Sequence, residues 1–135
     1  MRQKLTYTIL ALVLAISLAS SFQSRLTVNA YFTWIGAFTF VAWAFYGLDK
    51  NIAEFKRLKG WRVPEFTLHI LALLGGFPGA WIGRTMFNHK TNVKQHPLIL
   101  IILIVSTLLH VYMAIRIIYG PALMWWPPQN WFAFS

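Results

Sequence analysis

Four long runs of the chain carry almost no charge. Leu5–Phe22 and Val28–Leu48 hold no ionisable group but tyrosine. Phe66–Gly83 holds only His69, and Pro97–Ile118 holds only His110 and Arg116 besides tyrosine. A membrane-crossing helix needs about 20 mostly apolar residues. Four such runs in 135 residues leave little room for a water-soluble domain. The expected fold is an all-α integral membrane protein with hydrophobic helical segments at about 5–22, 28–48, 66–86 and 97–118, forming a single polytopic domain.

Composition excludes the main alternatives. Only 11 % of residues are charged and 58 % are hydrophobic, whereas soluble domains are about 25 % charged. A water-facing surface cannot be covered with so few charges, and disorder needs the opposite bias. With no cysteine, a disulfide scaffold, thiolate metal sites and thiol catalysis are all excluded. The basic start (Arg2, Lys4) and the small residues Ala19, Ser20 and Ser21 would also suit a signal peptide. The expectation is an uncleaved first span.

The third segment is interrupted by Gly75, Gly76, Pro78 and Gly79. Two arrangements fit. In a kinked crossing helix, the first expectation, Gly75, Gly79 and Gly83 form small-xxx-small steps for close helix packing. In a re-entrant hairpin, the freed backbone groups must be buried in protein or face water. Charge counting favours the hairpin. If the segment re-enters, Arg2, Lys4, Lys50, Lys56, Arg57, Lys59, Arg62, Arg84, Lys90 and Lys94 share one side and only Arg25 faces them. A full crossing leaves seven against four. Either way the positive-inside rule puts the N-terminus in the cytoplasm, and the expected location is a bacterial inner membrane.

Between the second and third segments, Asp49 can cap a helix that ends near Gly60. Ile52, Phe55 and Lys59 would share a face of that helix, which would lie in the headgroup region. Pro64 would open the third segment. The aromatic stretch Met124–Phe132 is expected to lie as a belt on the membrane surface.

Few residues can carry chemistry. The acids are Asp49, Glu54 and Glu65. Glu65 and His69 are four apart and share a helix face, which suits either a salt-bridged helix start or acid–base chemistry. His89, Lys90 and Thr91 offer an imidazole, an ammonium and a hydroxyl in one polar segment, a set able to hold a phosphate. Lys50, Arg62 and Arg84 would join them if the third segment is a hairpin. The plainer alternative is anchoring to anionic lipid, about 1 kcal/mol per basic residue near the surface. His89 and His96 are too far apart on a helix to share a metal, and no zinc spacing is present. Neither a phosphate loop nor a dinucleotide fingerprint nor a nucleophile elbow occurs, so no metal or cofactor is expected. His110 and Arg116 lie inside the last span, where ionisable groups are functional candidates. Only Ser106 and Thr107 accompany His110, a sparse lining for a conduction path.

Tyr46-Gly-Leu-Asp49-Lys50, then Trp61-Arg62-Val-Pro64-Glu65, Leu68-His69, Leu73-Leu-Gly75-Gly76-Phe-Pro78-Gly79-Ala80 and His89-Lys90-Thr91 follow one another at characteristic spacing. In order and spacing they resemble a bacterial family of short membrane proteins known as domain of unknown function 1294, over about residues 46–96, with a family-like core to about 118. The resemblance implies no known activity. Some members similar to this chain carry an N-terminal cold-shock domain, which implies a link to nucleic acid. No such barrel precedes the first apolar run here. Asn88 also stands where the family usually places arginine, which weakens a phosphate or nucleic-acid role by analogy.

The resulting expectation is a membrane module, not an enzyme, whose basic cytoplasmic face binds anionic lipid headgroups, nucleic acid or a membrane protein partner. Lys50, Arg62, His89, Lys90 and Thr91 would contact the anion, and Asp49 and Glu65 would support those cations. The alternatives are an enzyme acting on a phosphate-bearing lipid, or a small oligomeric channel or transporter.

Overall fold

The computed structural model describes residues 2–55, 63–87 and 97–120. All elements among them are helical: α1 (Arg2–Gln23), α2 (Ala30–Glu54), α3 (Glu65–Leu71), a π-helical turn (Ala72–Gly76), α4 (Phe77–Met86) and α5 (Pro97–Tyr119). Counting Glu65–Met86 as one joined helix, four helices are long and apolar enough to cross a membrane. Their outward faces are apolar too, with Leu5, Val13, Phe40, Ile82, Ile101 and Leu108 among the exposed side chains. The chain is an all-α, multi-pass membrane protein.

α1 and α2 form an antiparallel pair joined across Ser24–Asn29. Asn29 caps α2, its side chain accepting from the Tyr31 amide at 2.9 Å. α1 buries a stripe at three- and four-residue spacing, Thr8, Ala11, Ala15 and Ala19. Small side chains let helix backbones approach closely, which is how membrane helices gain packing energy without a hydrophobic drive.

α2 runs on to Glu54 and does not stop at Leu48. Asp49 is therefore inside α2 and caps no separate helix, which corrects the expectation of a cap there. Of the proposed interfacial helix, Ile52 belongs to α2, Phe55 is extended, and Lys59 and Gly60 lie outside the described residues. The aromatic stretch Met124–Phe132 also lies outside them. Pro64 is the N-cap residue of α3, one position before its first turn.

The third segment turns back on itself. Its residues meet α2 in rising order along both chains. A Cβ on Gly75 would lie 3.4 Å from Trp34, one on Gly76 would lie 2.8 Å from the Phe38 carbonyl, and one on Gly83 would lie 2.7 Å from Tyr46. Between these, Gly79 sits directly on the Thr39 backbone, and beyond them Phe87 packs on Gly47. α4 thus runs parallel to α2. The start of the segment is pinned at the same level as its end. Thr67 bonds Thr8 at 3.0 Å. Thr8 is fifteen residues from the α1 end Gln23, as Phe45 is from the α2 start Ala30. In an antiparallel pair this sets Thr8 and Thr67 beside Phe45–Tyr46, where Gly83 also lies. From Tyr46 to Trp34, which meets the reversal, the hairpin descends about 18 Å at 1.5 Å per residue, short of a hydrocarbon core of about 30 Å. The segment enters and leaves by the same end, so the kinked crossing is replaced by the re-entrant hairpin.

The reversal occurs at Gly75, whose φ of 123° and ψ of −4° break the helix. A side chain is strained at such a φ, and glycine is not. Gly76, Gly79 and Gly83 then supply the close contact with α2, so the packing stripe begins at Gly76, with Gly75 given over to the turn. Pro78 sits in the first turn of α4, where its missing N–H costs nothing.

Candidate functional site: the mouth and tip of a re-entrant hairpin

A broken helix inside a membrane frees carbonyls that lipid cannot satisfy. Here the neighbouring helices satisfy them. Ser106 Oγ on α5 donates to the Ala72 carbonyl at 2.6 Å. Trp34 Nε1 on α2 donates to the Leu74 carbonyl at 2.7 Å. The His110 ring also bonds the Leu74 carbonyl. Its Nδ1 is buried without a hydrogen-bond partner, so Nε2 is the donating nitrogen. Around this tip, Trp81 Nε1 donates to Thr107 Oγ1 at 3.0 Å, and Phe77 and Tyr31 lie against the His110 ring with centroids 5.3 and 6.2 Å away. α5 reaches the tip through a buried face of Ile99, Leu103, Ser106 and His110.

The mouth is built differently. Asp49 is fully buried and Arg84 is 6 % exposed. Both, with Glu65, are within electrostatic reach of the buried Tyr46 hydroxyl. Three elements supply the group: α2 gives Tyr46 and Asp49, three residues apart on one face; α3 gives Glu65 in its first turn, where a carboxylate favours the helix dipole; α4 gives Arg84 in its last turn, where a cation does the same. Gly83 brings α4 onto Tyr46, and so brings Arg84 to this group. The Arg84 guanidinium also lies 6.0 Å from the Trp81 ring centroid.

The predicted residues divide accordingly. Asp49 and Glu65 come together at the mouth. Lys50, next to Asp49 in α2, is partly exposed and pairs with Glu54 at 3.8 Å. Arg62, His89, Lys90 and Thr91 lie outside the described residues. The ends that flank them, Phe55 and Val63 on one side and Phe87 and Pro97 on the other, belong to the mouth end of the bundle. Tyr46 is the member that sequence reasoning passed over as a site residue. Its signal was the Tyr46-Gly-Leu-Asp49 spacing, which places a hydroxyl and a carboxylate on one helix face.

No curated protein and no solved structure matches the chain. Residues 39–96 match the family model described as "Protein of unknown function (DUF1294)". That stretch runs from Thr39, on which the hairpin packs, through the whole hairpin with Tyr46, Asp49, Glu65 and Arg84. The match thus spans the re-entrant unit and the later part of the helix it packs on.

Proposed function

We propose that this protein is a non-enzymatic membrane module whose hairpin mouth faces the cytoplasm of a bacterial inner membrane and binds the phosphate of anionic lipid headgroups. One observation supports the reading. Because the third segment re-enters, the start of α1, both ends of the hairpin and the start of α5 share one end of the bundle. Ten of the 12 Lys and Arg residues lie, in sequence, in or between those ends, against Arg25 alone in the opposite turn. Such asymmetry is the signature of a cytoplasmic face. Basic residues near an anionic leaflet contribute about 1 kcal/mol each.

In this reading Lys50, Arg62 and Lys90 contact the phosphate, and His89 and Thr91 donate to it. Asp49 and Glu65 hold the mouth together by compensating Arg84. At the tip every freed carbonyl named above already has a protein donor, which argues against an ion path there.

The test is thermal stabilisation of the delipidated protein by short-chain phosphatidylglycerol, with phosphatidylcholine and a single-stranded oligonucleotide as comparisons. Phosphatidylglycerol should raise Tm, and the shift should shrink at high salt and in Arg62→Ala and Lys90→Ala. Equal shifts with phosphatidylcholine would overturn the reading. A shift with the oligonucleotide alone would transfer the basic face to nucleic acid.

A further inference from the structure

The donor set at the hairpin tip contains one member that does more than satisfy a carbonyl. Trp34 and Ser106 are spent entirely on Leu74 and Ala72. His110 is not. With Nε2–H on the Leu74 carbonyl, a neutral imidazole carries its lone pair on Nδ1. That atom is buried and has no partner, and the residue is 9 % exposed. A buried polar atom left unsatisfied costs about 1–3 kcal/mol. The imidazole also touches the reversal itself, since a Cβ on Gly75 would lie 3.4 Å from His110 Nε2.

We propose that His110 is a proton-operated latch on the hairpin tip: protonation at Nδ1 releases the tip from α5. The physical argument is one of charge without compensation. The imidazolium would keep its bond to Leu74 but gain no acid. From α2 it faces the Tyr31 hydroxyl and ring, with no charged group. The tip itself, Ala72–Gly79, carries no ionisable side chain. On α5 the nearest ionisable groups along the chain are Tyr112 and Arg116, and neither brings a negative charge to a neutral-pH site. The carboxylates Asp49 and Glu65 are at the mouth, on the far side of the hairpin's depth. Trp34 and Tyr31, which touch the tip and His110, lie within about one turn of the start of α2 at Ala30, so a tip that swings away lets Nδ1 reach water at that end, and protonation favours the open arrangement. Glycines at 75 and 76 supply the hinge, and Ser106 and Trp34 set the resistance that the proton must overcome.

The experiment places spin labels at Leu73→Cys on the tip and Leu108→Cys on α5, both outward-facing positions in a chain with no native cysteine. Distances are measured in a zwitterionic bilayer near neutral pH and at about pH 5, on either side of a histidine's ordinary range. The native-His110 protein should show a second, longer distance population at acid pH. His110→Gln, which keeps a donor for Leu74 but cannot take the proton, should hold the short distance at both. Imidazole ¹⁵N spectra of the unsubstituted protein report directly whether Nδ1 gains a proton over the same interval, so the result does not depend on a variant folding. Two outcomes overturn the latch: a distance unchanged by pH while Nδ1 becomes protonated, or the same pH response in His110→Gln. Failure of Nδ1 to protonate by pH 5 overturns it as well.

Discussion

At the mouth of the hairpin the polar groups are ionisable, with Asp49, Glu65 and Arg84 gathered around Tyr46. At the tip, about 18 Å away along α2 at 1.5 Å per helical residue, they are an indole, a hydroxyl and an imidazole donating to two carbonyls. Both regions serve the same re-entrant segment. The difference follows depth. Near the interface a cation and carboxylates can compensate one another, and α3 and α4 contribute helix-end dipoles of the right sign. Deep in the bundle an ion is costly to bury, so neutral donors serve. The comparison teaches that the hairpin is held at two places by two chemistries, and that these should respond differently to substitution, salt and pH.

The contact that both ends depend on is the backbone approach of α4 to α2. Gly79→Ala would push a methyl group into the Thr39 backbone. Overpacking of this kind costs about 1–3 kcal/mol and sometimes more. With backbone as the obstacle, Gly79→Ala should reach the top of that range and Gly79→Leu should give no monodisperse protein in detergent. Normal yield and Tm for Gly79→Leu would mean that mouth and tip are not joined by a rigid α4.

The mouth should be the more sensitive end. In the proposed reading Asp49→Ala leaves Arg84 without buried compensation, and the expected loss is about 3 kcal/mol by the usual cost of breaking a buried charge group. A double-mutant cycle with Arg84→Ala should show coupling of about 1 kcal/mol or more, read from chemical denaturation in detergent. Additive losses would separate the two residues and dissolve the mouth as a unit.

At the tip, Ser106→Ala removes one neutral bond and leaves the Ala72 carbonyl unpaired, for about 1–2 kcal/mol. Trp34→Phe should cost less, about 0.5–1 kcal/mol, because the Leu74 carbonyl keeps the His110 donor. Both should be insensitive to salt, in contrast to the mouth. A smaller effect is expected where α1 meets α3. Thr8→Val strands the Thr67 hydroxyl and should cost about 1 kcal/mol, while Thr8→Val with Thr67→Val should recover most of it. Least of all, Lys50→Ala should change stability by no more than about 0.5 kcal/mol, because its pair with Glu54 is exposed, yet should weaken anionic-lipid binding. Stability lost in Lys50→Ala would move this residue from the binding face into the frame.

The four helices were legible because a charge-free run of this length admits few other structures. The break was legible too, since Gly-Gly-Phe-Pro-Gly at 75–79 has no other ready use. Its outcome was not. A kink and a reversal need the same glycines, and what decides between them is whether distant residues can satisfy the freed carbonyls. Trp34 is forty residues before Leu74 and Ser106 thirty-four after Ala72, and no local pattern announces either. The charge asymmetry did announce the reversal, because it sums over the whole chain. Asp49 was readable as polar and near an interface but was taken for a cap, since the apolar run ends one residue earlier. Burial, and not hydropathy, assigns it inward. Tyr46 was hidden for the opposite reason: an aromatic residue in a span looks like packing until Asp49 and Arg84 are found beside it.

The central claim is that Glu65–Met86 enters and leaves by one end of the bundle. Single cysteines at Lys59→Cys, Thr91→Cys and Ser24→Cys test it most directly, labelled by an impermeant maleimide in intact cells, in opened cells and after denaturation. The account predicts that Lys59→Cys and Thr91→Cys behave alike, both protected until the cell is opened, while Ser24→Cys labels from outside. Labelling of Thr91→Cys from outside with Lys59→Cys protected would mean that the segment crosses, and would contradict the re-entrant hairpin and the single basic face built on it.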